Sequence, residues 1–163
     1  MEERVGPYSC RIISTVDFVK EVARFCGWDG RKTSKDRKFL SDLKDLLTEW
    51  NDGPYNDIYD YFHKCKKYWK ECGYKEENCI LFVMCREPKE IQKFVDRIGA
   101  RTLVIRRTSV EELPQSNHAD ADIYNYKYNS YIYNDGTLED LEGLANRFTT
   151  LFLKGEKYEG IYF

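Results

Sequence analysis

Seven apolar residues run without a break from Cys79 to Cys85, and the polar segment Arg86-Glu87-Pro88-Lys89-Glu90 follows at once. An uninterrupted run of this length reads as a strand apolar on both faces, inside a parallel sheet with helices on each side. After Pro88 the period changes. Ile91, Phe94, Val95 and Ile98 recur at helical spacing, and Gly99 closes that helix. Thr102-Leu103-Val104-Ile105 is a further strand, ending in Arg106-Arg107. Strand, helix and strand in so short a stretch predict a right-handed crossover between parallel strands.

The same patterning organises the rest of the chain. Residues 8–13 read as a short strand. Ser14 or Thr15 caps a helix, Ser14 and Asp17 standing at capping-box spacing. Phe18, Val19, Val22, Ala23 and Cys26 form its buried stripe, and Gly27 stops it. Trp28-Asp29-Gly30 is a turn. Thr33 or Ser34 caps the next helix, whose Phe39, Leu40, Leu43, Leu46, Leu47 and Trp50 repeat at helical period. Asn51-Asp52-Gly53-Pro54 breaks it. A third helix runs from Asn56 to Cys72, with Ile58, Tyr61, Phe62, Cys65, Tyr68, Trp69 and Cys72 on one side and His63 on the other.

Residues 108–130 are polar and rich in tyrosine, with Ser116 to Asp120 as a loop. Tyr131-Ile132-Tyr133 is a last sheet strand. Thr137 and Asp140 box the start of a helix whose Leu138, Leu141, Leu144, Ala145, Phe148, Leu151 and Phe152 face the core, and Gly155 ends it. The tail, Lys157 to Phe163, either adds a strand or hangs loose. The pattern predicts a single α/β domain over residues 1–163, with its core in 8–153 and a tail at 154–163. Its architecture is a three-layer, mostly parallel sheet of about four strands with flanking helices.

Ligands bind at the carboxyl ends of parallel strands. Arg86, Arg106 and Arg107 are expected at that edge, where guanidinium groups suit a phosphate. The plainer alternative pairs Arg86 with Glu87 or Glu90 at an ordinary helix start, and leaves Arg106-Arg107 solvated beside Glu111 and Glu112. Tyr124, Tyr126 and Tyr128 alternate and would share one face of an extended segment. There they either stack on a base or pack over the sheet edge.

Composition narrows this picture. A net charge of -2 and 33% charged residues write neither a nucleic-acid grip nor a nucleic-acid mimic into the bulk charge. Basic charge is local: Arg31, Lys32, Lys35, Arg37 and Lys38 stand against Asp36 alone. No apolar run is long enough to span a bilayer and no signal peptide opens the chain, so a cytoplasmic protein without membrane partners is expected. The six cysteines lack Cys-x-x-Cys spacing, which predicts reduced thiols and no zinc. Cys26, Cys79 and Cys85 fall on apolar faces. His118 near Asp120 and Asp122 has no metal-ligand spacing. No spaced nucleophile and base suggest a hydrolase, and no catalytic residue is assigned.

The order of motifs resembles the small phage-type P-loop nucleotide kinases, in the deoxynucleoside monophosphate kinase and adenylate kinase neighbourhood. The resemblance covers roughly residues 12–153. It rests on Ile13-Ser14-Thr15-Val16-Asp17-Phe18-Val19-Lys20-Glu21, Gly27-Trp28-Asp29-Gly30, Lys38-Phe39-Leu40-Ser41-Asp42-Leu43-Lys44-Asp45, Arg86-Glu87-Pro88-Lys89-Glu90 and Asn134-Asp135-Gly136-Thr137-Leu138. It implies that Arg86, Pro88 and Glu90 belong to a monophosphate acceptor site, and that Arg106 and Arg107 serve a lid. It also places Asp42 and Lys44 on the family's acceptor-binding helices. Two features depart from the family. Met84 stands where an Asp is common, and the opening strand with its Gly-x-x-x-x-Gly-Lys-Ser/Thr loop does not occur. In the family that strand lies between the strands at 79–85 and 102–105. Direct pairing of those two strands is expected here. The tail filling the slot, or a second chain covering the edge, are the alternatives.

Phosphoryl transfer is largely positioning and charge stabilisation, and the missing loop is the donor site. The resemblance therefore implies a degenerate, P-loop-less kinase scaffold used for binding, with no cofactor. Mg-ATP enters only if a loop lies upstream, which would make the chain part of a deoxynucleoside monophosphate kinase. Because the family is common in phages, one concrete form is an inhibitor of a host defence system, such as an anti-CRISPR. The expected partner is a protein or ribonucleoprotein, met by Arg31, Lys32, Lys35, Arg37 and Lys38 and by Tyr124, Tyr126 and Tyr128. A nucleotide sponge holding phosphate on Arg86, Glu90, Arg106 and Arg107 is the other form, and self-association through an exposed sheet edge is also open.

Overall fold

The computed structural model describes residues 3–5, 8–108, 123–153 and 161–162. They form a mixed α/β structure that divides into two compact units, Met1–Cys85 and Arg86–Phe163.

The first unit opens with β1 (Glu3–Val5) and β2 (Tyr8–Ser14), paired antiparallel. Helices α1 (Asp17–Phe25), α2 (Ser34–Asn51) and α3 (Gly53–Glu71) follow, and a short 3-10 turn leads into β3 (Cys79–Met84). β3 lies parallel to β2, with Ser9 opposite Cys79 and Ser14 opposite Met84. Val19, Ala23, Tyr55, Ile58, Cys65 and Trp69 form the core where the helices meet the sheet.

Local chemistry explains the element ends. The Asp17 carboxylate accepts the Ser14 backbone N–H at 2.9 Å, so half of the expected box is made while Val16 takes the N-cap position. Thr33 caps α2 with a full box: its hydroxyl accepts from the Asp36 N–H, and the Asp36 carboxylate accepts from the Thr33 N–H. The break after α2 is narrower than the sequence predicts. Asp52 alone adopts the left-handed conformation, φ 55°, and α3 starts at Gly53 rather than Asn56. Pro54 permits this, because a proline in the first turn lacks only an N–H that has no helical partner anyway.

The second unit contains α4 (Pro88–Ile98), β4 (Leu103–Arg106), a 3-10 turn at Ile123–Asn125, β5 (Ser130–Tyr133), α5 (Leu138–Leu153) and β6 (Ile161–Tyr162). β4 and β5 are parallel, as are β5 and β6. Ile91, Phe94, Val104, Tyr128 and Ile132 are its buried apolar residues. Thr137 and Asp140 make the predicted box: the Asp140 carboxylate accepts the Thr137 N–H at 2.8 Å, and the Thr137 hydroxyl accepts in return.

The sheet corrects the sequence expectation. Among the described residues the strands form two sheets of three, ordered β1-β2-β3 and β4-β5-β6, where one sheet of about four is expected. Among the described residues β3 ladders with β2 and β4 with β5, where the sequence predicts direct pairing of 79–85 with 102–105. An apolar run encodes burial and period but not the identity of a neighbour, so it leaves strand order open. The tail does add a strand at 161–162, placed beside β5.

Side-chain placement differs from the pattern in three other places. Cys26 is exposed, because it follows the last turn of α1 instead of continuing its buried stripe. Leu138 and Ala145 are exposed, and the remaining apolar face of α5 is only half-buried. Phe39, Leu46 and Trp50 of α2 are exposed where a core face is expected. The loop at Ser116 to Asp120, His118, Asp120, Asp122, Glu111, Glu112 and Gly155 lie outside the described residues.

Candidate functional site

The β2–β3 pair is covered on one side and open on the other. On the covered side the Trp69 indole N–H donates to the buried Ser9 hydroxyl at 2.8 Å. Arg11 reaches the same side: its Nη1 lies 3.4 Å from the Tyr61 hydroxyl, and its guanidinium stands 4.8 Å from the centre of the Tyr68 ring. α3 is thereby fastened across the sheet. Side chains alternate along a strand, so the partners Cys10 and Ile80, Ile12 and Phe82, and Ser14 and Met84 point to the opposite face. There Ile12 is 65% exposed, Phe82 42% and Met84 58%. Parallel pairs normally have both faces covered. This face is a contiguous apolar strip on a rigid ladder, closed at its carboxyl end by the Thr15 N–H donating to the Met84 carbonyl at 3.1 Å.

In the second unit, Arg106 ends β4 opposite Tyr133 of β5. Its guanidinium stands 4.8 Å from the Tyr124 ring centre and 6.0 Å from that of Tyr133. Tyr126 and Tyr128 meet edge to face at 5.0 Å, and Tyr128 meets Tyr131 in the same manner at 5.9 Å. The Tyr128 hydroxyl donates to the Ile123 carbonyl, and the Tyr126 hydroxyl to the Gln92 side-chain oxygen of α4. Burial, then the charge of Asp96, pushes the Tyr126 hydroxyl above its ordinary pKa. The ends of β4 and β5 are tied again by Asp135, which accepts the Thr108 N–H at 2.7 Å.

This cluster changes the reading of the tyrosines. Residues 123–125 form a 3-10 turn, so Tyr124, Tyr126 and Tyr128 do not share one face of an extended segment. Tyr128 is buried and is not available as a contact residue, while Tyr124 and Tyr126 are half-buried against Arg106 and Gln92. Packing across the strand ends explains them better than an open stacking platform.

Of the expected phosphate ligands, Arg86 and Arg107 are exposed, Arg106 is half-buried beneath tyrosines, and Glu90 is buried in the first turn of α4. What the structure brings together is Arg106 with Tyr124 and Tyr133. Cys65 is buried, and burial raises its thiol above the ordinary value.

The basic stretch spans the α1–α2 loop and the first turn of α2. Arg31, Lys32, Lys35, Arg37 and Lys38 are all exposed. Arg31 Nε donates to the Asp29 carboxylate at 2.6 Å, a bond that holds Asp29 below the usual carboxylate range. Lys38 pairs with Asp42 at 2.8 Å. Gly27, Trp28, Asp29, Arg31, Thr33, Lys35 and Asp36 enclose an open hollow of about 300 Å³. Its two carboxylates offset its basic groups, and the Thr33–Asp36 box already occupies donors at the start of α2.

Among the described residues no group of three or more His, Cys, Asp or Glu is placed to hold a metal ion, and no helix is long and apolar enough to cross a membrane. Sequence reasoning missed the open sheet face, since Ile12, Phe82 and Met84 look like core residues in the linear pattern. The chain matches no protein-family model, no curated protein and no solved structure.

Proposed function

We propose that this chain is a non-catalytic binding protein on a nucleotide-kinase-like α/β scaffold. Its contact surface for a protein partner is the open face of β2 and β3. The observation that carries this reading is the exposure of Ile12, Phe82 and Met84 side by side on a parallel ladder. Contiguous exposed apolar side chains on a rigid element are the usual mark of an interaction site. A partner that lays an apolar helix or loop over the strip supplies the cover that a parallel pair lacks. Inhibition of a host defence protein is the form of this activity that the resemblance favours.

The experiment compares affinity capture from host lysate by the parent chain and by Phe82→Asp and Ile12→Asp. The expected result is a reproducible protein retained by the parent and lost from both variants, with circular dichroism showing that they remain folded. Equal retention by the variants, or no retained protein at all, overturns the reading. A coupled assay with ATP and nucleoside monophosphates is expected to show no phosphoryl transfer by this chain. Robust turnover would replace the binding reading with the kinase one.

A further inference from the structure

The α2 helix carries a second unpartnered apolar strip, separate from the sheet face. Phe39, Leu43, Leu46 and Trp50 are spaced four, three and four residues apart, the alternation of a coiled-coil seam. At 100° per residue they fall within one narrow sector of the helix. Phe39 is 37% exposed, Leu46 61% and Trp50 80%, while Leu43 is half-buried. The side that α2 turns into its own unit is instead marked by Lys44, its buried residue.

Charge along α2 is graded. Residues 31–38 carry five basic groups and one acid, a net +4. Residues 42–52 carry Asp42, Asp45, Glu49 and Asp52 against Lys44, a net -3. This gradient opposes the helix macrodipole, which favours acids at the amino end and bases at the carboxyl end. The exposed Lys38–Asp42 pair does little to offset it, because an exposed ion pair contributes little.

We infer that α2 is a self-association helix, whose seam is covered by α2 of a second copy running antiparallel. Charge complementarity selects both the occupant and the direction. An antiparallel copy lays each basic end beside the acidic end of the other and opposes the two helix dipoles. A parallel copy stacks like on like. The antiparallel register places Phe39 against Trp50 and Leu43 against Leu46, with the two-fold axis between Leu43 and Leu46. In that register Lys38 falls at the level of Asn51 of the copy, between its Glu49 and Asp52. This inference is independent of the sheet-face reading.

Sedimentation equilibrium of the full chain across the micromolar range tests it. The expected result is a concentration-dependent shift from one chain to two. Leu46→Glu lies at the centre of the seam and is expected to raise the dissociation constant at least about tenfold. Lys38→Glu and Glu49→Lys each weaken the dimer, and the double swap restores it, because both charges then meet their opposites again. Phe82→Asp leaves the dissociation constant unchanged, which separates this proposal from the sheet-face reading. A single-chain mass at every concentration overturns self-association. A dimer indifferent to Leu46→Glu overturns the seam, and a double swap that fails to rescue overturns the antiparallel arrangement. Circular dichroism of each variant confirms that α2 still forms.

Discussion

The Trp69 indole N–H donates to the Ser9 hydroxyl at 2.8 Å, joining α3 to β2 across sixty residues of chain in a fully buried bond. Ser9→Ala removes the acceptor and leaves a buried donor dry. The expected loss is about 1–3 kcal/mol. Urea unfolding followed by tryptophan fluorescence measures it, and an unchanged midpoint would show that this bond does not hold the helix to the sheet.

A methyl group at Gly53 would stand 2.9 Å from Phe18 Cε1 and 3.0 Å from the Asn51 side-chain oxygen. The close approach lets α2 turn into α3 against α1 with one intervening residue. Gly53→Ala is expected to cost about 1–2 kcal/mol through overpacking, despite the better helix propensity of alanine. A thermal melt in which the alanine variant gains stability would refute the packing argument.

Asp57 on α3 is held above its ordinary carboxylate pKa, first by burial and then by the charge of Glu21, with Lys64 opposing. The sign follows from linkage. Just above the ordinary value of 3.8, the folded chain keeps a proton that the unfolded chain has lost, so stability falls as pH rises through that window. Asp57→Asn is therefore expected to raise the urea midpoint at neutral pH, and the gain should vanish below about pH 4. A gain that is equal at both pH values would assign the effect to something other than ionisation.

Arg106 packs on Tyr124 and orders the turn at 123–125 against the end of β4. A cation–π contact of this kind contributes about 1 kcal/mol. Arg106→Gln and Tyr124→Leu should each destabilise the chain, and the double variant should lose less than the sum. A double-mutant cycle reads the coupling directly. Strict additivity would mean that the ring and the guanidinium do not interact in solution.

Much of the fold was legible because it depends on local chemistry. The capping box at Thr137 needs only a hydroxyl and a carboxylate three residues apart, so spacing alone located that helix start, whereas for α2 the sequence left Thr33 and Ser34 open and the box with Asp36 selected Thr33. β3 and α4 were visible as a change from continuous apolar residues to helical spacing at Pro88. The candidate site was much less legible. Exposure of Phe82 and Met84 depends on what covers β3, and nothing in an apolar run states whether a cover is present. The tyrosines failed as an open face because a 3-10 turn, set by packing on Arg106 and Gln92, rotates them out of alternation.

The sequence by itself determined most of the helices and strands and their periods, because side-chain alternation and capping act over a few residues, while the start of α3 at Gly53 and the turn at Ile123–Asn125 came from packing. It also determined the graded charge of α2 and the absence of a glycine-rich phosphate loop in this chain. Only the tertiary structure decided strand neighbours, and with them the division into two sheets, since ladder partners are chosen among strands far apart in sequence. It alone decided which apolar residues are core and which are surface. Ile12 and Trp50 carry the same pattern signature as buried Ile58 and Trp69, and they differ only in whether another element lies over them.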